Sequence, residues 1–147
     1  MKAAIGFGFF LLFLAGLALV MLQGQEMARQ NLPGGGAAIT GKNWRPVIVG
    51  DTGMPADHSM FIHFAVDGSI NGNGGCNNFF GTLTTTDEGI SMGEIGSTRM
   101  MCPPEIMDLE TEFLRALQST GQFELAGDTL KLLDSSGSVL LELVTAD

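Results

Sequence analysis

The sequence predicts an α+β domain: a strongly curved antiparallel sheet, or partly open β-barrel, of about eight strands with one helix, preceded by an N-terminal membrane segment. Three observations carry that expectation. Residues 41–147 contain short runs of β-branched and aromatic residues divided by Gly- and Asp-rich turns. Only Glu105–Gln118 places apolar residues at helical spacing. Twenty consecutive residues, Ala3–Leu22, carry no charge, enough for a helix of about 30 Å that crosses the hydrocarbon core.

Residues 1–22 read as a membrane anchor or signal, with Lys2 on the near side. By the positive-inside bias the N-terminus stays cytoplasmic and the remainder crosses the membrane, so the domain is expected to be extracytoplasmic. Small residues suited to cleavage are poorly placed, since Gly24 is paired with Leu22 and Ala28 with Glu26, and no cysteine follows the apolar run. An uncleaved anchor through residues 3–22 is therefore favoured over a cleaved signal, which would release the domain on the far side of the membrane. Residues 23–40 lose periodicity and include Pro33 followed by three glycines, the composition of a flexible linker. The folded unit is expected over 41–147.

Trp44 with Val47, Ile48 and Val49 predicts a first strand, bent or placed at an edge by Pro46, followed by a loop through "GDTGMPADHS". "MFIHFAV" alternates as a strand, with Met60, Ile62, Phe64 and Val66 on one face and His63 on the other, and Asp67-Gly68 turns it back through "SIN". "FFGTLTTT" and "ISMGEI" form a second hairpin about "DEG". In the helix, Ile106, Leu109, Phe113, Leu114 and Leu117 share the apolar side, Pro104 suits the first turn, and Glu105 and Asp108 favour the positive dipole end. "FELAGDTLKLLDSSGSVLLEL" closes the chain as a three-stranded meander divided by "GD" and "SSG".

Charge narrows the function. From Gly41 onward there are 5 basic and 15 acidic residues with no basic cluster, so nucleic acid is excluded as a partner. The stretch "INGNGGCNNFFG", Ile70–Gly81, invites three chemical readings. As a phosphate cradle it lacks the GK[ST] ending and runs into a strand rather than a helix. As a metal site, Cys76, Cys102, His58 and His63 lack the close ligand pairs of structural zinc, the cysteines being 26 positions apart. As a disulfide, two cysteines in a domain facing an oxidising compartment fit, and closing such a loop stabilises by roughly 3–4 kcal/mol. Two free thiols are the alternative. No Cys-His or Ser-His-Asp order stands out, and Glu110 and Glu112 lie on different helix faces, so neither an enzyme nor a cofactor is expected.

The segments "GGCNNFFG" (74–81), "STRMMCP" (97–103), "LETEFLRAL" (109–117) and "GDTLKLLDSSG" (127–137), with Trp44 ahead of them, resemble the META domain (HslJ-like) family in order and spacing. Leu83 stands where members often carry tyrosine, and Met101 where a small residue is usual. The family motif falls on Gly75, Cys76, Asn77, Gly81, Met100, Cys102 and Pro103. The resemblance implies an antiparallel, partly open barrel with one helix in extracytoplasmic bacterial proteins linked to heat response, drug tolerance and secretion or motility. On that resemblance the domain is expected in the periplasm, held at the inner membrane through residues 3–22, or free in the periplasm if the signal is cleaved. No catalytic residues carry over. Two functions follow: an interaction module that meets an envelope protein partner through a sheet edge or acidic surface, or a small carrier holding a lipid or other apolar ligand near Met60, Phe64, Phe113 and Leu117.

Overall fold

The computed structural model describes residues 36–86 and 89–146. The expected anchor at 1–22 and most of the expected linker lie outside the described residues. Among the described residues no helix is long and apolar enough to cross a membrane. The elements in order are α1 (Gly36–Ile39), β1 (Lys42–Val49), β2 (Thr52–Gly53), β3 (Phe61–Phe64), β4 (Ser69–Asn73), β5 (Asn78–Thr86), β6 (Gly89–Met92), β7 (Gly96–Ser97), α2 (Pro104–Ser119), β8 (Gln122–Ala126), β9 (Thr129–Leu133) and β10 (Val139–Ala146).

The ten strands form one antiparallel sheet in the order β6-β5-β4-β3-β1-β10-β9-β8, with β2 on β1 and β7 on β5. The count exceeds the eight expected because β2 and β7 are two-residue pairings, too short to carry an alternating pattern. β1 joins the two meanders. It pairs with β10 along its length and, on its other side, with β3 at Lys42–Trp44 and β2 at Ile48–Val49. Pro46, which has no N–H to donate, falls in the gap between β3 and β2, and the register against β10 shifts between Pro46 and Ile48. Proline thus bends an interior strand here and does not mark an edge.

Two sequence expectations need correction. Residues 36–40 belong to the fold, not to the linker: Ile39 is fully buried, and its carbonyl accepts the Trp44 indole N–H at 2.9 Å. A glycine-rich composition conceals one anchoring isoleucine. Val66 does not share the inward face of Met60, Ile62 and Phe64; it is 83% exposed, because β3 ends at Phe64 and the chain turns through Asp67 and Gly68. In that turn the Asp67 carboxylate accepts the Ser69 N–H at 2.9 Å, and Gly68 adopts φ +85°.

The sheet curls toward closure without reaching it. β6 and β8, at the two ends of the path, come together where Gly89 and Ile90 lie against Gly121 and Gln122. Ile90 N–H donates at 3.2 Å to the carbonyl of Gly121, the residue ahead of β8, and among the described residues the two strands form no ladder. Helix α2 lies against β1, β6 and β10, where Phe113 and Leu117 join Trp44, Phe64, Phe79, Leu130, Leu141 and Leu143 in the core. Phe79 and Phe113 meet edge to face, with centroids 5.8 Å apart, tying helix to sheet.

Candidate functional site

Glycine and asparagine dominate the corner between β4 and β5 because the backbone there must do several unusual things in four residues. Asn73 caps the turn, its side-chain oxygen accepting the Gly75 N–H at 2.8 Å while its amide donates to Asn78 Oδ1 at 2.9 Å. Gly75 takes φ +105°, where a side chain would be strained. Gly74 admits no side chain, since a Cβ would stand 2.7 Å from both Cγ and Oε2 of Glu110.

Glu110 is the centre of the arrangement. It lies in the middle of α2, on the inward face, and only 7% of its surface is exposed. Its Oε2 accepts the successive N–H groups of Cys76 (3.1 Å) and Asn77 (2.6 Å), and its Oε1 accepts Asn77 Nδ2 at 2.7 Å. Asn77 faces the other way with its Oδ1, which accepts the Met100 N–H at 2.6 Å and the Thr98 hydroxyl at 3.0 Å. The Thr98 oxygen in turn accepts the Asn78 N–H at 3.2 Å. Cys76 and Cys102 stand at disulfide distance, with Sγ atoms 2.06 Å apart and Cα atoms 6.0 Å apart. Corner, 98–102 loop and helix are thus joined by a covalent link and by a relay of hydrogen bonds, several of them to a charged acceptor, the strong kind.

The remaining motif residues surround this relay. Pro103 caps α2, its carbonyl accepting the Ile106 and Met107 N–H groups at 3.0 and 3.2 Å, and Pro104 opens the first turn with acidic Glu105 behind it. Gly81 lies farther along β5, where a Cβ would meet Ile95 Cγ1 at 3.3 Å. Met100 is anchored by its backbone, yet its side chain is exposed, as is that of Met101. Ile106 is also exposed, contrary to its assignment to the apolar side of the helix. The inward stripe is instead Glu110, Phe113, Ala116 and Leu117, while Glu112 is only half-buried and Leu109 and Leu114 pack at its margins.

His58 and His63 are occupied away from the cysteines. His58 Nδ1 accepts the Met60 N–H at 3.1 Å, so its proton is on Nε2, which donates to the Pro46 carbonyl at 2.7 Å. Burial lowers its pKa below the ordinary histidine value, with the Pro46 bond opposing in part. His63 lies opposite Asn43 on the neighbouring strand and shares a 2.9 Å hydrogen bond with it. Among the described residues no group of three or more His, Cys, Asp or Glu is placed to hold a metal ion. Met60, Phe64, Phe113 and Leu117, considered as a ligand lining, are all buried members of the common core.

Chemically, the corner is a closed circuit. The carboxylate is spent on three N–H donors and the two sulfurs on each other, so the arrangement holds backbone in place and presents no free nucleophile. Glu110 and Thr98 were not singled out from the sequence as binding groups. A usable signal does exist: Ile106, Glu110, Phe113 and Leu117 recur at helical spacing, and a carboxylate inside an apolar stripe requires buried donors, which "GGCNN" supplies.

Comparisons with known proteins agree with this architecture. One solved structure, determined by NMR, is 22% identical over 76% of this chain and 95% of its own, with a TM-score of 0.61. A second, from Burkholderia xenovorans, is 20% identical over 78% of this chain and 88% of its own (TM-score 0.58). A DUF4847 family protein from Bacteroides vulgatus is 16% identical over 74% and 94%, respectively (TM-score 0.52). These likenesses establish the fold. No curated protein matches the chain. The META domain family model matches residues 37–147, a span that contains the cysteine corner, helix α2 and both meanders, and on that match the chain belongs to the META domain family.

Proposed function

We propose that this chain is a non-enzymatic interaction module of the bacterial envelope, tethered to the inner membrane through residues 3–22 with its META domain in the periplasm, serving stress tolerance or secretion. The observation that carries the reading is the incomplete sheet. β6 and β8 approach at one end, where Ile90 bonds to Gly121, without forming a ladder, and a strand edge stays unpaired among the described residues on a scaffold otherwise fastened by the Cys76–Cys102 link and the Glu110 relay. Such an edge is a binding surface for an extended segment of another protein. The uncharged N-terminal run and the paired cysteines support an oxidising, membrane-proximal location.

The carrier alternative is less favoured because Met60, Phe64, Phe113 and Leu117 are packed together with the rest of the core. Crosslinking of the full chain in intact bacterial membranes, combined with protease accessibility of the C-terminal domain in spheroplasts, tests the module. The expected result is a discrete heteromeric adduct on a domain digested only after the outer membrane is opened. Recovery of monomer alone, or a domain protected on the cytoplasmic side, would overturn it. Retention of an apolar molecule by purified protein in native mass spectrometry would reverse the preference between the two readings.

A further inference from the structure

Resting on the interaction-module reading, we infer that the docking surface is the outer edge of β8, and that its partner is an extended segment alternating apolar and basic residues, added antiparallel to Phe123–Ala126. The other short edges do not compete, since β2 and β7 are two residues long and β6 is already in contact with Gly121 at Ile90. β8 has five residues, no proline, no lysine and an unbroken register against β9, so Glu124 is the one charge that guards this edge strand.

Hydrogen-bond phase decides which groups are available. The β8–β9 hairpin turns through Gly127 and Asp128 alone, with Ala126 opposite Thr129 and Gly127 at φ +60°. A two-residue turn makes its closing pair a hydrogen-bonded one, and the pattern then alternates. Gln122, Glu124 and Ala126 therefore bond inward to β9, while the N–H and C=O groups of Phe123 and Leu125 point off the edge. The same reasoning at the β5–β6 hairpin, where Thr86 faces Gly89, sends Ile90 outward, in agreement with its bond to Gly121.

Side chains specify the partner. On β9, Leu130 and Leu132 are fully buried, whereas their cross-strand neighbours Leu125 and Phe123, on the last strand of the path, pack against the core and are only half-buried. In an added antiparallel strand, the residues opposite Phe123 and Leu125 extend that face and must be apolar. The residue between them lies beside Glu124, on the solvent side, and a basic side chain suits it. A second copy is the poorer occupant. Edge-to-edge pairing about Glu124 would oppose two glutamates and join two chains of formal net charge −9 each.

The test uses the full 147-residue chain and a capped octapeptide of alternating valine and lysine, with a valine–glutamate octapeptide as its counterpart. Residue-resolved amide hydrogen exchange at saturating lysine peptide should slow at Phe123 and Leu125 by about tenfold or more, while Glu124 and Ala126, already bonded to β9, change little. At low salt the glutamate peptide should bind at least ~5-fold more weakly, and Glu124→Gln and Glu124→Lys should shrink and then reverse that preference. No added protection at Phe123 and Leu125, or protection that rises with protein concentration without peptide, would overturn the inference. A membrane adduct obtained without edge protection would sink the β8 assignment and leave the module standing. Edge protection by peptide with only monomer in membranes would retain the β8 site and sink the module.

Discussion

Replacing Glu110 by glutamine changes one atom and cannot be accommodated by the corner as it stands. Glu110 Oε2 faces two N–H donors and Oε1 faces a third, Asn77 Nδ2. A glutamine keeps one acceptor, so its NH2 must oppose either the backbone pair or the Asn77 amide. Flipping Asn77 gives no escape, because its Oδ1 already accepts from Met100 and Thr98. Two charge-assisted bonds fall to neutral strength and one buried donor loses its acceptor, partly offset by relief of carboxylate desolvation, for a net loss of about 2–3 kcal/mol. With a urea m-value of roughly 1.5–2 kcal/mol/M for a domain of this size, the unfolding midpoint should fall by about 1.5 M. The same geometry predicts a rescue. Asn77→Asp alone sets two carboxylates against each other, but Asn77→Asp combined with Glu110→Gln restores every donor–acceptor match with the charge on the opposite side. The double variant should recover at least ~1 kcal/mol over either single one. A Glu110→Gln midpoint within about 0.3 M of the parent, or strictly additive effects in the cycle, would refute the relay.

Three further outcomes follow from other features. Reducing the Cys76–Cys102 link, which spans 26 positions, should lower stability by about 3–4 kcal/mol in denaturant titrations; equal midpoints with and without reductant would contradict it. Gly74→Ala should cost more than ~2 kcal/mol by driving a methyl against Glu110, whereas Gly53→Ala, with nothing within 4 Å and no positive φ, should be within about 0.5 kcal/mol of neutral. His58 should titrate below the ordinary value in NMR, since burial opposes its charge and a proton on Nδ1 would face the Met60 N–H. The unfolded chain then takes up that proton first, so the His58 contribution is present above pH 6.5 and is lost as pH falls from there through the lowered folded-state pKa. A His58 that titrates at or above 6.5 would contradict the burial of the ring as the dominant influence on its charge.

The meanders were readable from the chain because their information is local. Asp67-Gly68 and Gly127-Asp128 reverse strands whose alternation is plain, and Pro104 with Glu105 marks where α2 begins. Residues whose roles depend on distant partners were not readable in the same way. Ile39 looked like linker because its value lies in the Trp44 indole five residues on and in a core assembled from both meanders. Ile106 and Val66 satisfied the apolar periodicity of their segments and still face solvent. Periodicity says which residues share a face, and only the packed neighbours say how far along the element that face is covered.

The corner shows the same division. Gly75 at positive φ follows from residue type and turn chemistry, and the pairing of Cys76 with Cys102 could be anticipated from there being only two cysteines. Glu110 enters from 33 positions away, and the demand it places on Gly74 and Asn77 exists only once α2 lies across the β4–β5 turn. Likewise, five residues of alternating sequence announce β8 as a strand, but that it is the strand left at an open edge depends on how far the whole sheet curls. Strand and turn are short-range consequences of backbone sterics and hydrophobic period. A buried charge's partners and a sheet's free edge are long-range consequences of closure, set by every element at once.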